Sequence, residues 1–182
     1  NYFFRGKKLG RGSAVLYGLR EALKKNFEIY IEMDADFSHN PNELSTKIEI
    51  FSKTNSDLLI ASRYLKDSKI INWSIQRRIF SRMSNILARL LLKIPVSDYT
   101  NGYRFYSKRA AEKIVNTCGN IGDGFIVLSE ILFTLHKSNF IISETDTIFK
   151  NRVRGESSVN LKLIFQSLKG LIKLYNIKRK LD

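Results

Sequence analysis

Apolar positions along the chain switch repeatedly between two periods. In RGSAVLYGLREALKKN, Val15, Leu19 and Leu23 recur at helical spacing, and Ser13 stands where an N-cap would start the helix. EIYIEMD alternates instead, with Ile29, Ile31 and Met33 set against Tyr30 and Glu32, and predicts a strand ending at Asp34. NPNELSTKIEIFSK returns to helical spacing, with Asn40 as N-cap and Pro41 at the first helical position. DLLIAS predicts a short buried strand, NWSIQRRIFSRMSNILARLLLK a long amphipathic helix, NGYRFYS a strand and KRAAEKIVNTC a helix. GFIVLSEILFTLHKSN predicts a further helix, FIISETDTIF a strand, and NLKLIFQSLKGLIKLYNIKRK a basic amphipathic helix.

Strands alternating with helices predict an α/β layered domain with a largely parallel sheet. Such sheets bind ligands beyond the carboxyl ends of their strands. The first predicted strand runs straight into DADFSH, so Asp34 and Asp36 stand at such an end. Gly10 and Gly12 form only a weak G-x-G and are read as a tight entry to the first helix.

The chain has 182 residues, 43% of them hydrophobic and 26% charged, which suits one globular domain and excludes a disordered chain. No apolar run reaches the roughly 18 residues of a membrane span, and the opening residues do not read as a signal peptide. A single cysteine, Cys118, excludes an internal disulfide and reads as a small buried apolar residue. Lys and Arg number 31 against 17 acids, a net charge of +14, which favours anionic partners: nucleic acid, anionic lipid or phosphorylated substrates. Nucleic acid is the weakest of these, because aromatic and basic residues do not interleave in any stripe.

An acidic pair in so basic a chain has three readings. It is an acidic turn, or a nucleophile loop of the aspartyl-phosphate type, or a pair of oxygen donors for a divalent cation. The second reading needs further acids, and downstream there are only isolated ones such as Asp98 and Asp123. The third has a clear physical basis. Mg²⁺ takes one or two carboxylates and completes its shell with substrate phosphates.

The remaining motifs bear on the choice. Arg63 closes the DLLIAS strand, Arg77, Arg78 and Ser81 open the long helix, and SDYTNGYRFY and NRVRGESS follow. The ordered set of G-x-G helix, strand-DADFSH, strand-SRY, WSxxRRxxS, SDxTxGxRxY and RVxGES resembles the family 2 glycosyltransferases. Within them it is most similar to the dolichol-phosphate (polyprenol-phosphate) mannosyltransferases, from about Leu9 to the tail.

The resemblance implies a GT-A fold, with a mixed sheet flanked by helices, and an inverting, metal-dependent transfer of a hexose to a polyprenyl or dolichyl phosphate. GDP-mannose is the first donor it suggests, with a UDP-sugar as the other. It assigns Mg²⁺ or Mn²⁺ to Asp34 and Asp36, and donor binding to Asp34, Asp36 and Arg152. It gives the acceptor phosphate to Arg63, Arg77 and Ser81, and counts Asp36, Asp98 and Arg63 as the catalytic set. Asp98 has a positioning role there, or one toward Arg104. Arg77 is favoured over Arg78, since only one of two adjacent side chains can turn inward. His39 and His136 read as surface or half-buried polar residues.

Departures from the family pattern also set expectations. Its opening strand and first βα units are not matched in this chain, and Ser158 stands where the family has Lys. Residues 1–155 are therefore expected to be a partial GT-A catalytic domain, and 156–182 a basic helix able to lie in a membrane interface. Ile75, Ile79, Met83, Ile86, Leu87 and Leu90 form one apolar face of the long helix, and Leu163, Ile164, Leu168, Leu171, Ile172 and Leu174 one of the tail. The implied place is the cytoplasm, peripherally on the cytosolic face of a membrane, docked directly or on a small membrane subunit. The rival reading is a catalytically incomplete subunit that binds lipid phosphate or a partner transferase.

Overall fold

The computed structural model describes residues 2–7, 9–122, 124–152 and 161–181. In chain order the elements are α1 (Arg11–Leu23), β1 (Ile29–Glu32), α2 (Leu44–Lys53), β2 (Leu58–Ala61), β3 (Lys69–Ile71), α3 (Ile75–Leu92), β4 (Arg104–Ser107), α4 (Lys108–Thr117), α5 (Ile126–Lys137), β5 (Ile142–Thr145), β6 (Ile148–Lys150) and α6 (Leu161–Leu181). Asn40 caps a single 3-10 turn at Pro41–Glu43, accepting a hydrogen bond from the Asn42 N–H before α2 begins. Ser13 does not cap α1. Gly10, at a φ of 88° that favours glycine, leads into the helix, and the Ser13 hydroxyl donates to the Leu9 carbonyl at 2.9 Å.

The main sheet has the order β1-β4-β2-β5. Period-two alternation sends Tyr30, Leu58, Ile60 and Tyr106 into a large core with α1, α3, α4, α5 and α6. Ile29, Met33, Leu59, Ala61 and Phe105 face the other way, toward Phe51 and the rest of α2. Helices thus cover both faces. Cys118 is buried in the larger core, and burial pushes its thiol up to about 11, so it carries no reactive thiolate.

The sheet is mixed rather than largely parallel. β1, β2 and β5 share a direction, but β4 lies between β1 and β2 and is antiparallel to both. The reason lies in α3. It packs chiefly on α6 and fully buries only Ala88 and Leu92 among its apolar residues, with Leu91 partly buried beside them, so it does not carry the chain back across the sheet. Arg104 therefore re-enters opposite Glu32 and Ile60, near the carboxyl ends of β1 and β2, and β4 must run the opposite way.

FIISETDTIF forms two strands, not one. The chain breaks at Asp146 and Thr147, where Lys47 donates to the Asp146 carbonyl and Glu43 accepts from the Thr147 hydroxyl and the Ile148 N–H. β5 stays in the main sheet and β6 pairs in parallel with β3, a strand the sequence pattern did not predict.

Candidate active site

β1 delivers Asp34 and Asp36 to the carboxyl edge of the sheet, where Phe37 turns the chain at a φ of 61°. The Ser38 N–H donates to Asp36 Oδ1 at 3.0 Å. Burial opposes ionisation of Asp36, but this hydrogen bond and the nearby charge of Arg152 outweigh it and hold the carboxyl below its ordinary value.

His39 anchors the loop from beneath. It is 1% exposed, so it is neither the surface nor the half-buried residue that the sequence suggested. Its Nδ1 accepts from the Asp34 N–H at 2.9 Å, which leaves the proton on Nε2 to be donated to Asn101 Oδ1 at 3.1 Å. Asn101 in turn donates to the Ala61 carbonyl at 2.5 Å, so one chain of bonds joins the ends of β1 and β2. Burial pushes the imidazole pKa down, and the ring is neutral.

Arg11, at the first turn of α1, was not among the residues singled out from the sequence. Its guanidinium donates to Glu32 Oε1 at 2.8 Å and to Asp34 Oδ1 at 2.9 Å. Gly102 makes this possible: a Cβ there would lie 1.7 Å from Arg11 Nη2.

Arg63 follows β2 and is buried against Asp98, donating through Nε and Nη2 at 2.8 Å each. Nη2 also donates to the Thr100 hydroxyl at 2.7 Å, and Nη1 has no partner among the described residues. The guanidinium lies against Tyr64, Trp73 and Phe149, at 5.4–5.6 Å from their ring centres. Asp98 is fully buried and also accepts from the backbone of Arg63, Thr100 and Asn101. It acts by holding Arg63. The alternative expected for it, a role toward Arg104, is not realised: Arg104 donates to the carbonyls of Tyr99, Asn101 and Leu128.

Arg77 is half-buried and Arg78 exposed. Arg77 stacks on Trp73 at 4.0 Å and donates to Asn151 Oδ1 at 2.9 Å. Arg63 and Arg77 thus share the Trp73 ring, and burial, with the charges of Arg152 and Arg63, lowers the Arg77 pKa. Arg152 reaches Asp36 Oδ2 at 3.7 Å. The Ser81 hydroxyl accepts from Tyr64 at 2.6 Å. Gly155, Ser158 and Asp123, and the boundary between residues 155 and 156, lie outside the described residues.

Comparison with known proteins identifies the family. The family model for glycosyl transferase family 2 matches residues 1–115. The chain belongs to that family. Polyprenol monophosphomannose synthase of Mycolicibacterium smegmatis is 31% identical over 156 residues, 86% of this chain and 58% of that protein. Dolichol-phosphate mannosyltransferase of Pyrococcus furiosus is 33% identical over 181 residues, 98% of this chain and 48% of that protein. The chain therefore spans about half the length of the curated relatives it matches.

The mixed sheet with helices on both faces is the GT-A fold of this family 2 glycosyltransferase. The matched region holds Asp34, Asp36, Arg63, Arg77, Ser81 and Asp98, and Arg152 lies beyond it. The carboxylate pair suits a divalent cation in one way only. Among the described residues no three His, Cys, Asp or Glu side chains gather into a protein cage. Two aspartates fit a hard cation whose remaining ligands are substrate phosphates.

Around this candidate site, Arg11, His39 and Asn101 are what the sequence reading missed. Arg11 meets Glu32 21 residues away and His39 meets Asn101 62 residues away, beyond the reach of any local pattern. The one available signal was unpaired polarity: an arginine opening a helix and a histidine directly after DADFS.

Proposed function

We propose that this chain is the catalytic region of an inverting, divalent-cation-dependent hexosyltransferase acting on polyprenyl phosphate. Mannose from GDP-mannose is the donor favoured, and the names of the two relatives support it. One observation carries the reading: two aspartates and the guanidiniums of Arg63, Arg77 and Arg152 gather at one edge of the sheet. Arginine forks suit phosphate oxygens and keep their charge.

In this reading Asp34 and Asp36 hold Mg²⁺ or Mn²⁺, which when bound neutralises charge developing on the leaving diphosphate. Arg152 meets the donor phosphates. Arg77 and the Nη1 of Arg63 hold the acceptor phosphate, while Ser81 fixes Tyr64 beside them. A phosphate oxygen attacks the anomeric carbon as the bond from that carbon to the diphosphate oxygen breaks, and a single displacement inverts the centre. The acceptor monoester has a second pKa near about 6, so it is already dianionic at neutral pH and needs no base.

The acceptor is a lipid, and α3 supports an approach to lipid. Ile75, Ile79, Met83, Ile86 and Leu90 are each 51–76% exposed, an unusual apolar stripe for a helix end-on to a site. α6 divides its apolar positions: Leu171 and Leu174 enter the core, while Phe165, Leu168 and Ile172 stay exposed beside its lysines. Among the described residues no helix is long and apolar enough to cross a membrane. We place the chain peripherally on a cytosolic membrane face, docked on lipid or on a small membrane subunit.

The test is transfer of labelled sugar to polyprenyl phosphate from GDP-mannose, UDP-glucose and UDP-N-acetylglucosamine, with Mn²⁺ or Mg²⁺. Transfer from one donor that Asp36→Ala abolishes supports the enzyme. Arg77→Ala should raise the acceptor KM about 10- to 100-fold, the size of a lost charge-assisted bond. Polyprenyl phosphate binding with no transfer from any donor would favour an incomplete subunit instead.

A further inference from the structure

We propose that Arg11 is a resident counter-cation of the aspartate pair, setting its cation affinity so that a divalent ion is taken together with a nucleoside diphosphate rather than before it. The inference rests on the reading that Asp34 and Asp36 hold that ion.

Four observations carry it. First, Arg11 is fixed rather than draped over the site: its Nη2 is held at 2.8 Å by Glu32, whose other oxygen is occupied by the Tyr106 hydroxyl at 2.9 Å. Second, its Nη1 takes only Oδ1 of Asp34, and Oδ2 has no hydrogen-bond partner among the described residues. Asp34 is thus oriented and half-committed, able to offer one oxygen. Third, Gly102 leaves the space in which the guanidinium lies, which any side chain would fill. Fourth, each aspartate already faces a guanidinium: Asp34 lies 2.9 Å from Arg11, which Glu32 shares, and Asp36 lies 3.7 Å from Arg152.

A hydrated divalent ion approaching this pair meets carboxylates already engaged by guanidiniums, and Coulomb repulsion from Arg11 opposes it at short range. A diphosphate brings the missing anionic oxygens. The ion therefore gains most when both arrive, and the free carboxylates do not accumulate metal in the absence of donor.

The experiment measures Mn²⁺ binding to the full chain by electron paramagnetic resonance, with MnCl₂ alone and with MnCl₂ plus GDP. Arg11→Gln should bind Mn²⁺ alone at least about tenfold tighter than the unaltered protein, with a smaller change when GDP is present. Arg11→Lys keeps the charge and should stay within about threefold. Gly102→Ala, whose methyl displaces the same guanidinium without removing it, gives a second route and should also tighten binding of Mn²⁺ alone. Unchanged or weaker binding in folded Arg11→Gln and Gly102→Ala overturns the inference. Asp36→Asn separates the two levels: if it retains Mn²⁺ with GDP, the aspartate pair is not the cation site and both readings fall. If it loses Mn²⁺ while the Arg11 variants bind as the unaltered chain does, only the role of Arg11 falls.

Discussion

Arg63 and Asp98 form a two-pronged ion pair, 2.8 Å at each prong, with Asp98 wholly removed from solvent and Arg63 nearly so. Removing one member of such a pair strands the other. Asp98→Asn should cost about 3–5 kcal/mol, read from urea denaturation. The pH dependence has a definite sign. Burial alone would raise the Asp98 pKa, but the Arg63 charge and its hydrogen bonds outweigh it and hold the carboxyl below the ordinary range. The pair's contribution is therefore complete above the unfolded aspartate value of about 3.9 and is lost as pH falls through the lower folded value. Stability of the unaltered chain should drop more steeply on acidification below about pH 4 than that of Asp98→Asn.

Asn85 joins the exposed helix α3 to this pair. Its Oδ1 accepts from the buried Tyr99 N–H at 2.6 Å, and its Nδ2 donates to the Ser81 carbonyl at 2.8 Å and to the Thr100 hydroxyl at 3.2 Å. Thr100 is also a partner of Arg63. Asn85→Ala should lose about 1–3 kcal/mol of stability through the orphaned Tyr99 N–H. At temperatures where the variant stays folded, kcat/KM for polyprenyl phosphate should still fall about tenfold, a loss of about 1.4 kcal/mol in transition-state binding.

Gly102→Ala tests whether glycine is needed for space. The added carbon would lie 1.7 Å from Arg11 Nη2 and 2.8 Å from Arg11 Cζ, so the guanidinium must leave Glu32 and Asp34. A destabilisation of about 1–3 kcal/mol is expected in thermal unfolding. Adding Arg11→Ala should cost less than the sum of the two single changes by at least about 0.5 kcal/mol, because both break the same contact.

The stripe on α3 gives a prediction in which fold and function separate. Ile79 and Met83 are 54% and 64% exposed, so replacing both by Asp should shift folding stability by no more than about 1 kcal/mol. Flotation with anionic vesicles should show binding by the unaltered chain and loss of it in the double variant. Equal flotation of both would place the membrane contact elsewhere.

What the sequence determined about this protein was whatever depends on neighbours in the chain. Period and capping chemistry located β2, α3 and the Asn40–Pro41 helix start, and the end of β1 put Asp34 and Asp36 at a sheet edge. The ordered motifs revealed the family before any contact was known. Tertiary structure decided which distant groups meet. Asp98 lies six residues from Arg104 and 35 from Arg63, yet it binds Arg63, because β4 enters between β1 and β2 and turns Arg104 toward α5. The same strand order buries His39 against Asn101 and brings Gly102 over Arg11. Local periodicity fixes the direction in which a side chain leaves its own element, but its partner is set by strand order, and strand order follows from how α3 and the core pack.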